Sequence, residues 1–246
     1  MTADLSRWPR LRDAWWVYAL AGAAVVLFPV GLVVRVRCAL DGCTRSGLSL
    51  LFDLDAVGGL PRLFTTGLFA AACALAWWAA RQCAGGARTW WTAVSVIGAA
   101  LALAKLGSAH SAAKTVSPVA TFLGSALLSG VALVVLTVVG RRWGVPATRS
   151  VVLALGAYAA AAVGLDAVTG AVEAAQTHAG ALSGATASFV EELGEAITAL
   201  LLVVTVRWNL PPASGGVPRA AGVLQESRTA NNAPTADENG QSVRQQ

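Results

Sequence analysis

The sequence predicts an all-α bundle of six transmembrane helices, and three observations carry that prediction. Apolar residues make up 56% of the 246 and charged residues only 13%, about half the charged share of an ordinary soluble domain. The apolar residues gather into runs of about twenty, the length a helix needs to cross ~30 Å of hydrocarbon. Arginine and lysine are concentrated in alternate connecting segments, the bias that marks cytoplasmic loops. Because backbone in lipid must satisfy its own hydrogen bonds, each run reads as helix.

The first run, 15–34, follows Arg7, Arg10 and Arg12 and is closed by Arg35 and Arg37. It is too long for a signal-peptide core and lacks a small-residue cleavage site, so it reads as a retained anchor. The other runs are 63–80, 90–109, 119–140, 151–170 and 187–206, with Pro61 and Pro118 just ahead of the second and fourth, where a helix tolerates proline. Residues 1–14 form a short N-terminal segment and 35–62 an outer loop. The tail 207–246, rich in Pro, Gly, Asn, Gln and Ser from about Asn209, reads as disordered because it cannot bury enough apolar surface to fold.

Sixteen of the eighteen basic residues are arginine. With the N-terminus inside, the inner segments hold twelve arginines, against five basic residues outside: Arg35, Arg37, Arg45, Arg62 and Lys114. Both termini are then cytoplasmic, and the Arg-, Ala- and Gly-rich composition points to a GC-rich bacterium and its plasma membrane. The net charge of +5 is inner-face anchoring next to the lipid bilayer; no feature supports a nucleic-acid partner. Cys38 and Cys43 share the outer loop, where an oxidising exterior permits a disulfide. Cys73 and Cys83 read as packing or surface residues. Small-residue stripes, Gly156-Ala160-Gly164 and Ser125-Ser129, suit close helix packing and leave a homo-oligomer or another membrane-protein partner open.

The candidate site is a set of ionisable residues, all toward the outer side. Glu191, Glu192 and Glu195 open the sixth span, Asp166 ends the fifth, Lys105 and His110 end the third, and Asp53 and Asp55 precede the second. From the helix rise, Lys105 and Asp166 stand about 22 Å up a core of ~30 Å. Glu195 lies about 12 Å in from the opposite end of its run. The three can meet in one layer. Residues three and four apart share a helix face, and a charged face in lipid belongs toward the bundle interior or a wet cavity. Several acids against one lysine leave negative charge to be relieved by protonation, water or a bound cation. The competing reading is structural, with Lys105 simply paired to a carboxylate. No cofactor is identified, and His110 and His178 are too few for a three-histidine zinc site.

The run Phe52-Asp53-Leu54-Asp55-Ala56-Val57-Gly58-Gly59-Leu60-Pro61-Arg62-Leu63-Phe64-Thr65-Thr66 resembles the Phe-Asp-Leu-Asp…Pro-Thr-Trp-(Phe/Tyr)-Ser signature of an uncharacterised family of bacterial multi-spanning membrane proteins. In that family an acidic pair and a histidine close the third helix, and a Glu-Glu pair followed by a glutamate opens the last. His110 and Glu191, Glu192 and Glu195 match, and Asp166 sits where the family carries an acid. Lys105 departs from the pattern, standing where the family is acidic, and Val57 lacks the expected carboxylate. The resemblance, over about Leu48 to Val206, implies the architecture and the site position and supplies no activity.

Three function classes remain: a site for a proton, cation or small cationic ligand; a membrane-embedded enzyme acting on a lipid-like substrate; and a scaffold or accessory subunit. Six helices without an evident inverted repeat are few for a transporter. The topology is the directly testable part. A phosphatase active only outside the cytoplasm, fused after Val206, should be inactive, and a fluorescent protein fused there should be bright; the reverse pattern would remove the six-span arrangement.

Overall fold

The computed structural model describes residues 14–41, 47–54, 56, 58–107, 118–165, 167–170 and 180–211. These residues form helices α1 (Trp15–Asp41), α2 (Gly47–Phe52), α3 (Leu60–Gln82), α4 (Gly85–Leu106), α5 (Pro118–Arg142), α6 (Thr148–Ala160) and α7 (Gly180–Trp208). A π-helical segment, Ala161–Leu165, continues α6. No strand occurs among the described residues. Five stretches are long and apolar enough to cross a membrane: Trp15–Cys38, Leu60–Gln82, Gly85–Leu106, Val119–Arg142 and Thr148–Gly170. α7 has 29 residues, ample for a crossing, but the three glutamates near its middle and Arg207 set it apart from those five.

The helices run longer than the apolar runs alone indicate. α1 continues past Arg35 and Arg37, and α7 begins seven residues before 187, at Gly180, because Ala, Ser and Thr there interrupt hydropathy without breaking helix. The fifth run is not uniform: its α-helix gives way to the π segment at Ala161, a wider turn often found at functional positions. The short α2 falls inside the expected outer loop, 35–62, where the sequence predicts no helix. Cys38 is disulfide-bonded, whereas Cys73 and Cys83 are free thiols. Cys43, its expected partner, lies outside the described residues. Burial pushes the Cys83 thiol above its ordinary pKa, so it is a poor nucleophile.

Small residues determine how closely the helices approach. α3 turns Ala72, Ala76, Ala79 and Ala80 into the core. Opposite them Gly98 of α4 lies over the Cys73 backbone, where an added methyl would meet the amide nitrogen at 3.1 Å. Ser95 closes the same contact by donating to the Cys73 carbonyl at 3.0 Å. α7 packs against α1, α3 and α6, and its Ala199, Leu202, Val203 and Val206 join Phe69, Trp90 and Val151 in the main core. A second cluster, Ala24, Phe28, Leu54 and Ala196, ties α1 and the α2–α3 loop to the middle of α7. Gly31 permits it, because a side chain there would strike Leu54 and the Phe52 carbonyl.

Two tight turns fix one end of the bundle. α5 stops in a Schellman motif: Val145 N–H donates to the Gly140 carbonyl at 2.9 Å and Gly144 N–H to the Arg141 carbonyl at 3.1 Å. Gly144 takes φ +63°, a conformation glycine reaches without a Cβ penalty. The α3–α4 turn lies alongside, with Gly86 against the Trp143 ring. The buried Trp90 indole donates to the Leu136 carbonyl at 3.0 Å, fastening α4 to α5. Gly140 leaves room for Trp90 and Thr148 together, and any Cβ there would collide with both. Gly140→Ala should therefore displace the indole and cost about 1 to 3 kcal/mol, read as a lower midpoint and a changed tryptophan emission in detergent unfolding; an unchanged midpoint would show that this junction is not tightly packed.

Candidate functional site

At the opposite end four helices bring polar side chains together. Lys105 stands in the last turn of α4, where the helix dipole favours a cation. Its side chain turns inward and is only 13% exposed. α7 presents Glu192 and Glu195, three residues apart and 4% and 6% exposed, as neighbours on one face. The Lys105 ammonium donates to both Glu192 oxygens, at 2.8 Å and 3.0 Å, a bidentate hold. It also lies 2.8 Å from Oε2 of Glu195. That second contact is aligned less well than the two to Glu192, so the buried Glu195 Oε2 is held chiefly by charge.

Two further helices complete the surroundings. Tyr158 of α6 places its hydroxyl beside Glu195. Its ring is held edge-on by Phe69, with centroids 4.7 Å apart. Arg62, in the first turn of α3 and 5% exposed, acts electrostatically on Glu192 and has a further partner of its own. Ser188, one turn before Glu192, is buried as well. Thr198 adds no free hydroxyl to the site, because it donates back to the Gly194 carbonyl at 2.9 Å.

The structure thus joins Lys105, Glu192 and Glu195. Glu191 is half-buried and engages a partner of its own. Asp53 precedes α3 and is half-buried, also with a partner, and is not one of the two carboxylates on Lys105. Asp55, His110 and Asp166 lie outside the described residues. The sequence expectation of several acids facing one lysine needs correction, since Arg62 was counted as a loop charge and is instead buried near Glu192. Among the described residues two buried carboxylates face an ammonium in contact and a guanidinium farther off. No group of three His, Cys, Asp or Glu side chains among them is placed to hold a metal ion.

Sequence reasoning missed Arg62 and Tyr158. Arg62 directly follows the helix-starting Pro61, a signal that it belongs to the helix and not to the loop. Tyr158 is one of two tyrosines in the chain and stands within an Ala- and Gly-rich run instead of near a span end, where tyrosine is usual. An apolar groove of about 400 Å³ opens between the end of α6 and the start of α7, lined by Leu165, Val168, Thr169, Thr186 and Val190 among others. It shares no residue with the charged cluster. No family model, curated protein or solved structure matches the chain.

The cluster's energetics can be read by mutation. Lys105→Met strips two buried carboxylates of their contact cation and should cost about 3 to 5 kcal/mol. Adding Glu192→Leu and Glu195→Leu should recover most of that loss, since an apolar replacement of a buried ion set is often neutral or better. Chemical unfolding of the purified protein in detergent compares the three. A Lys105→Met variant as stable as the parent would mean the ammonium is not compensating buried charge.

Proposed function

We propose that the chain is a six-span protein of a bacterial plasma membrane, with α7 as the sixth span and both termini cytoplasmic, and that Lys105, Glu192 and Glu195 form a proton-binding site near its outer face. The observation that carries this reading is the Glu195 carboxylate. Its Oε2 is buried and pressed against an ammonium that Glu192 already holds with both oxygens, beside a tyrosine hydroxyl. When ionised, the contact set holds one positive charge against two negative ones, and the Arg62 guanidinium acts on Glu192 from farther off. A proton is the smallest species that neutralises the difference.

An inorganic or organic cation is the weaker form of the same idea. Lys105 already occupies the position between the carboxylates that such an ion would take, so the ion must displace a tethered competitor. A proton adds to a carboxylate oxygen without removing the lysine. The family resemblance fits this reading, since Lys105 then stands as an internal cation where the family pattern is acidic. The enzyme reading draws no support from the apolar groove, because its lining excludes the charged cluster.

Infrared difference spectroscopy of the reconstituted full chain tests the proposal. Across about pH 4 to 9, the range spanning carboxyl and histidine titration, the parent should show a protonated-carboxyl carbonyl band that appears and disappears. Replacing Glu192 and Glu195 together by Gln should remove that band, and either single substitution should change it. A parent protein with no titrating carboxyl band, or a band untouched by both substitutions, would overturn the reading.

A further inference from the structure

The end of the bundle remote from the charged cluster carries six arginines: Arg81 at the end of α3, Arg88 in the first turn of α4, Arg141 and Arg142 at the end of α5, Arg149 in the first turn of α6 and Arg207 at the end of α7. All six are exposed. The two tight turns and the contact of Gly86 with Trp143 bring the ends of α3, α4, α5 and α6 together. Every described acidic residue, from Asp41 and Asp53 to Glu195, belongs to the other end or lies no farther along α7 than about its middle. No ion pair to any of the six is found among the described residues. Helix stability does not explain the set, since Arg88 and Arg149 stand in first turns, where the dipole disfavours a cation.

Exposed Trp77, Trp78, Trp143 and Trp208 lie within a turn of these arginines in sequence. Indoles prefer the headgroup level of a bilayer, which sets the depth of this end at the phosphate layer and not in bulk water. Guanidinium forks bind phosphate oxygens bidentately. We propose that this arginine cluster is a binding surface for anionic phospholipid, taking phosphatidylglycerol-type headgroups from the leaflet at that end. The positions of the tryptophans select a lipid over a soluble phosphate or an acidic protein segment. This inference is independent of the proton site.

Spin-labelled phosphatidylglycerol and phosphatidylcholine, compared in phosphatidylcholine vesicles holding the full chain, test it through the motionally restricted lipid fraction. Phosphatidylglycerol should associate on the order of five-fold more strongly than phosphatidylcholine, the effect of about one well-placed basic residue or more, and the preference should fall with added salt. The combined Arg141→Gln, Arg142→Gln and Arg149→Gln variant should lose it, while lysine at the same three positions should keep most of it. Equal association of the two lipids with the parent, or a preference unchanged in the glutamine variant, would overturn the proposal. Should the glutamine variant fail to fold, a parent preference insensitive to salt would overturn it equally. Displacement of the labelled lipid by millimolar glycerol phosphate would assign the surface to free phosphate esters and also refute a lipid site.

Discussion

An ammonium placed among hydrocarbon-facing helices has few tolerable positions, and Lys105 occupies one of them. It holds two carboxylates of α7 at 2.8 to 3.0 Å, so the end of α4 and the middle of α7 are fastened by charges that cannot separate without leaving ions in low dielectric. Other elements are placed around that requirement. Tyr158 brings a hydroxyl from α6, Arg62 brings a guanidinium from α3, and α1 closes over α7 through Phe28 and Ala196. A bundle held only by lipid-indifferent apolar contacts would have less reason to fix α7 in rotation. Here the rotation is set, because turning α7 would carry Glu192 and Glu195 away from Lys105.

Close packing below the cluster makes that arrangement affordable. Ala72, Ala76 and Ala79 of α3, with Gly98 of α4, bring two backbones near enough for Ser95 to bond across. Such contacts replace the hydrophobic drive that lipid does not supply. The Trp90–Leu136 hydrogen bond and the Schellman turn after α5 then lock the far end. The molecule is tightly packed where α3, α4 and α5 meet. It is interrupted at the π segment, one turn past Tyr158, beside the helix that bears the glutamates: Leu165 fills the space that Gly194 leaves open.

Much of this was legible in the sequence, for reasons of period and cost. Runs of twenty apolar residues announce helices in lipid, and five of the expected six appear as stretches able to cross a membrane. The sequence reading brought Lys105, Asp166 and Glu195 into one layer; Lys105 does lie 2.8 Å from Glu195, Asp166 lies outside the described residues, and the bidentate hold on Glu192 was not foreseen. What stayed hidden depends on contacts between elements. Nothing in the composition near Ala161 announces a π turn. Glu191 and Glu192 are chemically alike in sequence, and only the packing of α7 makes one half-buried and the other the bidentate partner of Lys105.

The arginines show most clearly why residue type alone does not settle a role. Arg141, Arg142 and Arg149 sit at helix ends of an exposed turn, where a guanidinium finds water or headgroups and needs no protein partner. Arg62 is the same side chain, yet Pro61 starts the helix just before it and that first turn is packed under α1 and the α2–α3 loop. Its charge is consequently part of the interior, and the interior must answer it. The electrostatic balance around Glu192 thus rests on the placement of a proline-led helix start, which moves one positive charge from the loop into the cluster. That leaves the Lys105, Glu192 and Glu195 contact set as the place where the balance is most delicate, and a single proton is enough to change it.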